Sequence, residues 1–313
     1  MAFKPKSETD RPQREYEPRN IPVPRGGLRK GRISLIVDLG VQENEEYVDP
    51  KTQETRQPKP CQQVAVFIDL THDVVDYGGQ IGTAPYRISV NHNFAGEWTG
   101  INFKPGPQRD PQGNILKDAN GKWLPKVIPP TNMIAKLCKA VGRSDIAVEG
   151  NKHSFDLEQL LNQPLTVTVE VKETPDKNGK KDKEGNTIVY KNVNFKSVTP
   201  VPEDDDGNPQ NVNPLAMPAR VISFDSATKE DIKFIRSGLI KKIKLAQDYA
   251  GSAMQRAIEA FESEQNQDEG DEDEAPAPTP APAPKPAAKA PKKNAPAPKS
   301  DTGFDDMDDD VPF

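Results

Sequence analysis

Leu165-Thr166-Val167-Thr168-Val169-Glu170-Val171-Lys172 alternates apolar and polar side chains without a break. Successive side chains on a strand point to opposite faces, so Leu165, Val167, Val169 and Val171 turn inward while Thr166, Thr168, Glu170 and Lys172 meet water. One dry face and one wet face is the pattern of an antiparallel sheet, because parallel sheets are covered on both sides. Working outward, the same period recurs. Upstream, Ile33, Leu35, Val37 and Leu39 alternate with Ser34 and Asp38 over Ile33–Val41. Val64, Val66, Ile68 and Leu70 share a face between Gln62 and Val75, and Tyr86–Val90 adds a third strand. The stretch Phe94–Lys104 reads as strand or loop beside the sheet, and Asp110–Trp123 as a turn-rich excursion. Downstream, a polar hairpin tip at Pro175–Asn186 leads to Thr187–Val198, and a Pro-rich acidic loop leads to Arg220–Phe224.

Helical signals are fewer. Thr131 is placed to cap a short helix through Val141, with Ile134, Leu137, Cys138 and Val141 on its apolar face and Gly142 ending it. Asp156–Asn162 gives a second short helix. From Thr228 to Glu262 the period becomes helical, with Ile232, Ile235, Leu239, Ile243, Ala246 and Ala250 near one face and a break expected at Gly238 or Gly251. Short antiparallel strands, a mid-chain helix and long hairpin loops predict a mainly β chain. The expected architecture is an OB-fold-like antiparallel barrel with a short internal helix and a C-terminal helical segment. A β-sandwich or an α+β sheet would give a similar pattern of strands.

The ends cannot join that core. Five prolines among charges in residues 1–30 predict an extended arm, and the acidic and Pro-Ala-Lys tract of 264–300 predicts a disordered, semi-stiff tether. The expected organisation is therefore arm 1–30, OB-like domain 31–225, helical segment 226–263, tether 264–300 and terminal tip 301–313. Charge divides along the same lines. The arm and the strand junction, residues 1–32, hold nine Lys and Arg against four acids, whereas 264–313 holds thirteen acids against five Lys. A basic arm on a near-neutral body with an acidic tail suits a binder of polyanions that carries a polyanion mimic. The net charge of −6 conceals this.

Catalytic motifs are missing from the sequence. Arg25-Gly26-Gly27-Leu28-Arg29-Lys30-Gly31 lacks the spacing of a phosphate loop and precedes a strand. The two cysteines and three histidines are scattered, so no zinc site, cofactor or metal is expected, and the loop acids Glu203-Asp204-Asp205-Asp206 read as solvated. Neither a signal peptide nor a membrane span is visible, which predicts a non-enzymatic protein of the cytoplasm without membrane partners.

Single-strand binding requires cations that follow phosphates and π-faces on which bases stack. The phosphate candidates are Arg25, Arg29, Lys30 and Arg32, clustered beside glycines at the arm–strand junction. Aromatic and basic residues come together at Tyr86-Arg87, in the stretch holding Trp98, Phe103 and Lys104, at Trp123, and along Tyr190-Lys191 and Lys196. Phe67, Phe195 and Phe224 read as core.

The last nine residues, Asp305-Asp306-Met307-Asp308-Asp309-Asp310-Val311-Pro312-Phe313, combine five Asp with a single Val, a Pro and a terminal Phe. Such a peptide is built to dock: Phe313 fills an apolar pocket whose rim cations meet Asp305, Asp306, Asp308, Asp309, Asp310 and the α-carboxylate, with Val311 and Pro312 shaping the approach. The segment resembles the acidic tip of bacterial and phage single-stranded DNA-binding proteins. With a β-rich body and a disordered tether, the chain is similar in organisation to those that bacteriophages encode for replication. The resemblance implies coating of single-stranded DNA and recruitment of a polymerase, helicase, primase or nuclease through the tip, in the cytoplasm of a bacterium or infected host. The tether differs from the Gly- and Gln-rich one of the bacterial proteins, and homo-oligomerisation remains open. Two other readings fit the residues. One is a strand-annealing recombination mediator that oligomerises through Thr228–Phe261. The other is a protein that binds no DNA and uses the tip to occupy host docking pockets.

Overall fold

In a computed structural model the described residues are 23–44, 46–49, 52–76, 83–90, 92–94, 97–150, 154–176, 179, 181 and 185–268, with the side chains of 47, 92–94, 97, 98 and 265–268 excluded. The predicted arm up to residue 22, most of the tether 264–300 and the whole tip 301–313 lie outside them. The elements run β1 (Gly27–Gln42), β2 (Tyr47–Val48), β3 (Thr55–Arg56), β4 (Cys61–Asp76), β5 (Thr83–Ser89), β6 (His92–Phe94), β7 (Glu97–Thr99), β8 (Ile101–Asn102), α1 (Met133–Ala140), β9 (Pro164–Pro175), β10 (Val189–Thr199), β11 (Arg220–Ile222), α2 (Lys229–Ile232), α3 (Ser237–Lys244) and α4 (Ala253–Asp268). The fold is mainly β, as the alternation predicts.

One sheet dominates. Its order is β10-β9-β1-β4-β5, with β11 parallel to β1 and β8 against β4; the other pairs of the path are antiparallel. The five main strands in that order, with α1 between β5 and β9, are consistent with an OB-like, partly open barrel. Among the described residues the outer strands β5 and β10 form no ladder with each other, so the sheet is not closed.

Strand β1 explains why this sheet carries two cores. Its first half, Gly27–Arg32, pairs with β9, and Leu35–Val37 pairs with β11. Opposite β4 the register slips by one residue at Ser34, between Ile33↔Ile68 and Leu35↔Phe67. A bulge reverses the parity of everything after it. Ile33 and Ile36 therefore enter one core with Val64, Val66, Ile68, Leu70, Ile88, Leu165, Val167 and Val169, closed below by Ile134 and Leu137 of α1. Leu35, Val37 and Leu39 enter the other, with Phe67, Ile222 and Phe224. The expectation that Ile33, Leu35, Val37 and Leu39 share a face is thus corrected by a single inserted residue. Val64, Val66, Ile68 and Leu70 do share one.

The second core is completed by the C-terminal helices through Ile232, Ile235, Leu239, Ile243, Met254 and Ile258. At roughly 1.5–3 kcal/mol for each fully buried aliphatic side chain, this face is integral to the fold. The helical stretch expected over Thr228–Glu262, with one break, is three helices. Gly251, at φ +79°, stands at the last break, as expected, whereas Gly238 lies inside α3. Thr228 with Asp231 forms a capping box on α2. On α1 the cap is Asn132, not Thr131: its side-chain oxygen accepts from the Ile134 N–H at 2.9 Å. Gly142, at φ +70°, ends that helix as expected.

Candidate nucleic-acid interface

The cluster at the arm–strand junction is mostly engaged in holding the fold. Arg32 donates from Nε to the Asn213 carbonyl at 3.0 Å, from Nη1 to Asn162 at 2.7 Å and from Nη2 to Val212 at 3.0 Å. A guanidinium satisfied by three carbonyls staples the loop before β11 to β1 and has few donors left. Arg29 donates to the Arg25 carbonyl at 2.8 Å and lies 3.7 Å from Asp73. Burial raises the Asp73 carboxyl, and the nearby Arg29 charge partly offsets that. Lys30 reaches the Asn211 carbonyl at 3.4 Å, and Arg25 is exposed.

Arg87 corrects the expectation most clearly. Its side chain is 8% exposed, and it grips Asp69 (6%) through Nε at 2.7 Å and Nη2 at 3.2 Å. The Ser34 hydroxyl donates to the same carboxylate at 2.7 Å. The bulge residue and the ion pair are therefore one polar unit inside the sheet, and Arg87 is a structural residue there. Neighbouring Tyr86 packs against the first core. Phe103 also packs on that core, edge-on to Phe155 with ring centroids 5.4 Å apart. Phe195 does the same, while Phe67 and Phe224 are buried, in line with their assignment to the core.

On β10 the register decides what the lysines do. Pairing Lys191 with Glu173 and Asn194 with Glu170 sets acids of β9 beside the cations of β10. Lys196 lies 2.8 Å from Glu170 and Lys191 3.9 Å from Glu173. The Lys196 contact is the leading cause holding the Glu170 carboxyl below its usual range. Tyr190 donates to buried Asp176 at 3.0 Å and is half-buried. Trp98 falls in β7 with its side chain outside the described residues.

The excursion between β8 and α1 differs from all of these. Residues 104–143 contain eight Lys and Arg and only two acids, Asp110 and Asp118. Both acids are turned into the chain. Asp110 accepts from the Asn114 N–H at 2.8 Å and from the Asn114 side chain at 3.0 Å, and its carboxyl is lowered mainly by those bonds. Asp118 accepts from the N–H groups of Asn120 and Lys122 at 2.9 and 2.8 Å. Each aspartate opens a tight turn that ends in a glycine of positive φ, Gly113 at +89° and Gly121 at +77°.

The two turns fold the segment into a three-stranded meander. Bridges join Arg109 to Ile115, Lys117 to Trp123 and Gly106 to Val127, and Val127 is bridged in turn to Val148. Residues opposed across an antiparallel bridge project to the same side, and alternate residues share a face. Arg109, Ile115, Lys117 and Trp123 therefore lie on one face. Trp123 is 59% exposed, the one exposed aromatic ring among the described side chains. Lys104, Lys117, Lys122 and Lys126 are exposed and, among the described residues, their ammonium groups make no ion pair, although the Lys126 backbone N–H donates to the Glu149 carboxylate at 2.9 Å. Arg109 donates only to the Gly113 carbonyl of its own turn. Lys136 and Lys139 of α1 are exposed as well. Of the residues singled out in the sequence, Lys104 and Trp123 belong to this surface. The charge balance of 104–143, counted by segment, would have found the rest.

Other features offer less to a polyanion. A cavity of about 440 Å³ lies between Ile36, Phe103, Phe155 and Val221, but Asp38, Asp156 and Glu158 line it. Desolvation is the main reason the Asp38 carboxyl is raised. Asp204 is occupied by the N–H groups of Asp206 and Asn208 in its own turn. Among the described residues no group of three or more His, Cys, Asp and Glu is placed to hold a metal ion, and no helix is long and apolar enough to cross a membrane. Comparison with known proteins finds no matching family model, no similar curated protein and no similar solved structure.

Proposed function

We propose that this protein binds single-stranded DNA without sequence preference, coats it during replication or recombination, and recruits replication enzymes through Asp305–Phe313. The observation that carries the reading is the terminal Asp308-Asp309-Asp310-Val311-Pro312-Phe313, tethered to a body with an OB-like strand order. The cations Lys104, Arg109 and Lys117, which have no acidic partner among the described residues, and exposed Trp123 would supply the two things a single strand requires. Tethering raises the concentration of the tip beside bound DNA, so a partner with a small apolar pocket rimmed by cations is drawn to the strand. In this reading the protein acts in the cytoplasm of a bacterium or infected cell, binds no cofactor and is not an enzyme.

The annealing alternative has less support. It needs a helical segment free to oligomerise, and Ile232, Leu239, Ile243, Met254 and Ile258 are spent on the second core. Titration of the full chain with oligo-dT, followed by mobility shift and tryptophan emission, tests the reading. A shift with saturable quenching is expected. Absence of both would reject DNA binding and leave the pocket-occupying alternative, in which the tip alone retains a partner.

A further inference from the structure

We infer that the meander of residues 104–126 is the principal single-strand contact of this protein, with Trp123 as its base-stacking platform and Lys104, Arg109 and Lys117, which lie on the same face, as its phosphate contacts. The inference rests on the reading of the protein as a single-strand binder, and it moves the site away from the arm–strand junction and from the strands β5 and β10.

Three independent observations converge on this surface. The first is availability. The cations of β1, β5 and β10 are held by Asp73, Asp69, Glu173 and Glu170, or by loop carbonyls. A phosphate arriving there must displace an existing partner; at the meander it need not. The second is sign. The segment carries five Lys and Arg against two acids, Asp110 and Asp118, and both acids accept backbone N–H groups of their own turns. The third is the ring. An indole left largely in water on a face that also carries Arg109 and Lys117 has no packing role that accounts for its exposure. Base faces are free in a single strand and hidden in a duplex, so an exposed indole among cations favours the single strand.

The meander is also built to hold its geometry. Gly106 and Val127 exchange two backbone hydrogen bonds of 2.9 and 2.8 Å, and Ile128 donates to the Ala147 carbonyl at 2.9 Å. Both ends of the segment are thereby tied to the body, and the turns fix the spacing between Lys117 and Trp123. A contact surface ordered before binding loses less entropy when the strand arrives.

The test uses the full chain in a Trp98→Phe background, which leaves Trp123 as its single tryptophan. Oligo-dT is expected to quench that emission. The exposed triple variant Lys104→Ala/Arg109→Ala/Lys117→Ala should lower the slope of log Kobs against log salt by about 2, at roughly 0.7 per phosphate contact. Trp123→Ala, followed by mobility shift, should weaken binding by about five- to hundredfold. The control Lys172→Ala/Lys191→Ala/Lys196→Ala, on lysines paired to β9 acids, should leave the slope nearly unchanged. Two outcomes overturn the inference and differ in what else they remove. Oligo-dT that binds without quenching Trp123, with the salt slope intact in the meander triple, places the site elsewhere and keeps the functional reading. Failure of the unmutated chain to bind oligo-dT at all removes both.

Discussion

Replacing Arg87 with Met should destabilise the protein by about 3–5 kcal/mol. The magnitude follows from what the substitution leaves behind. Asp69 is 6% exposed and accepts three hydrogen bonds, two from Arg87 at 2.7 and 3.2 Å and one from Ser34 at 2.7 Å. Without Arg87 the carboxylate keeps only the Ser34 hydroxyl, so a buried charge loses its counter-ion and two charge-assisted bonds. Water cannot compensate easily, because Phe67 and the Arg236 side chain pack over the same side of the sheet. Against a total stability of about 5–15 kcal/mol, the loss is large enough to read by urea unfolding. The double variant Asp69→Leu/Arg87→Met removes both charges and should recover at least about 2 kcal/mol of the loss. Neither value should depend on salt, since the pair is shielded from solvent ions. A cost below about 1 kcal/mol, single effects that simply add in the double variant, or a loss that disappears at high salt would refute the reasoning. Oligo-dT affinity of the folded double variant separates the two roles available to Arg87. A structural residue leaves affinity at the level of the unmutated chain, whereas a phosphate contact does not.

Other outcomes follow from the same geometry. A Cβ on Gly31 would stand 2.7 Å from the Asp69 carbonyl and 2.8 Å from Ile68 Cγ2, so Gly31→Ala should cost about 1–3 kcal/mol in urea unfolding. Burial raises the Asp38 carboxyl above its usual value of 3.8, so its contribution is fully present below that pH and is lost as pH rises through the higher folded value. Asp38→Asn should remove this part of the pH dependence, and an unfolding series from acid to neutral pH whose slope is unchanged would contradict it. Cys138 is fully buried and its thiol is pushed up to about 11, so in the native protein it should resist alkylation at pH 8 and react only after unfolding. Deletion of Asp305–Phe313 should raise oligo-dT affinity at about 50 mM salt, with the gain shrinking at about 200 mM. Equal affinities across the series would show that the tip does not compete with DNA.

The fold was legible where one residue type dominated a regular period. The alternation over Leu165–Lys172 and the run Val64–Leu70 place both strands correctly, although Thr166, expected to meet water, is buried and Val64–Leu70 is buried at every position because β4 lies between the two cores. Ile33–Val41 shows where that logic stops. Its residues are apolar on both parities, Ile36 included, which is the signature of a strand buried on two faces rather than one. The bulge at Ser34 cannot be read from periodicity, since it is stabilised by Asp69, a residue thirty-five positions away. The C-terminal helices were visible as a helical period, but their destination was not. An amphipathic stretch states that it needs a partner, and only the second apolar face of β1 and β4 reveals that the partner is the same sheet.

The site was harder to read for a reason that is electrostatic. Sequence gives the position of a cation and says little about its counter-ion, which on a sheet is set by cross-strand register. Lys191 and Lys196 look free in the chain, where their neighbours are Tyr190, Asn192, Phe195 and Ser197, yet the β9–β10 register brings Glu173 and Glu170 to them. Arg87 sits between Tyr86 and Ile88 with no acid in sight, and its partner comes from the adjacent strand. The meander reverses the case. Asp110 and Asp118 stand close to lysines in sequence and suggest local neutralisation, but both are consumed by the turns they initiate. Aspartate is the residue a turn of this kind selects, because its side chain can accept N–H groups two and four positions ahead. Its charge is thereby drawn toward backbone donors and away from the neighbouring ammonium groups. A turn-rich, glycine-punctuated excursion thus keeps an excess of cations without acidic partners for the same reason that it can fold without a core of its own.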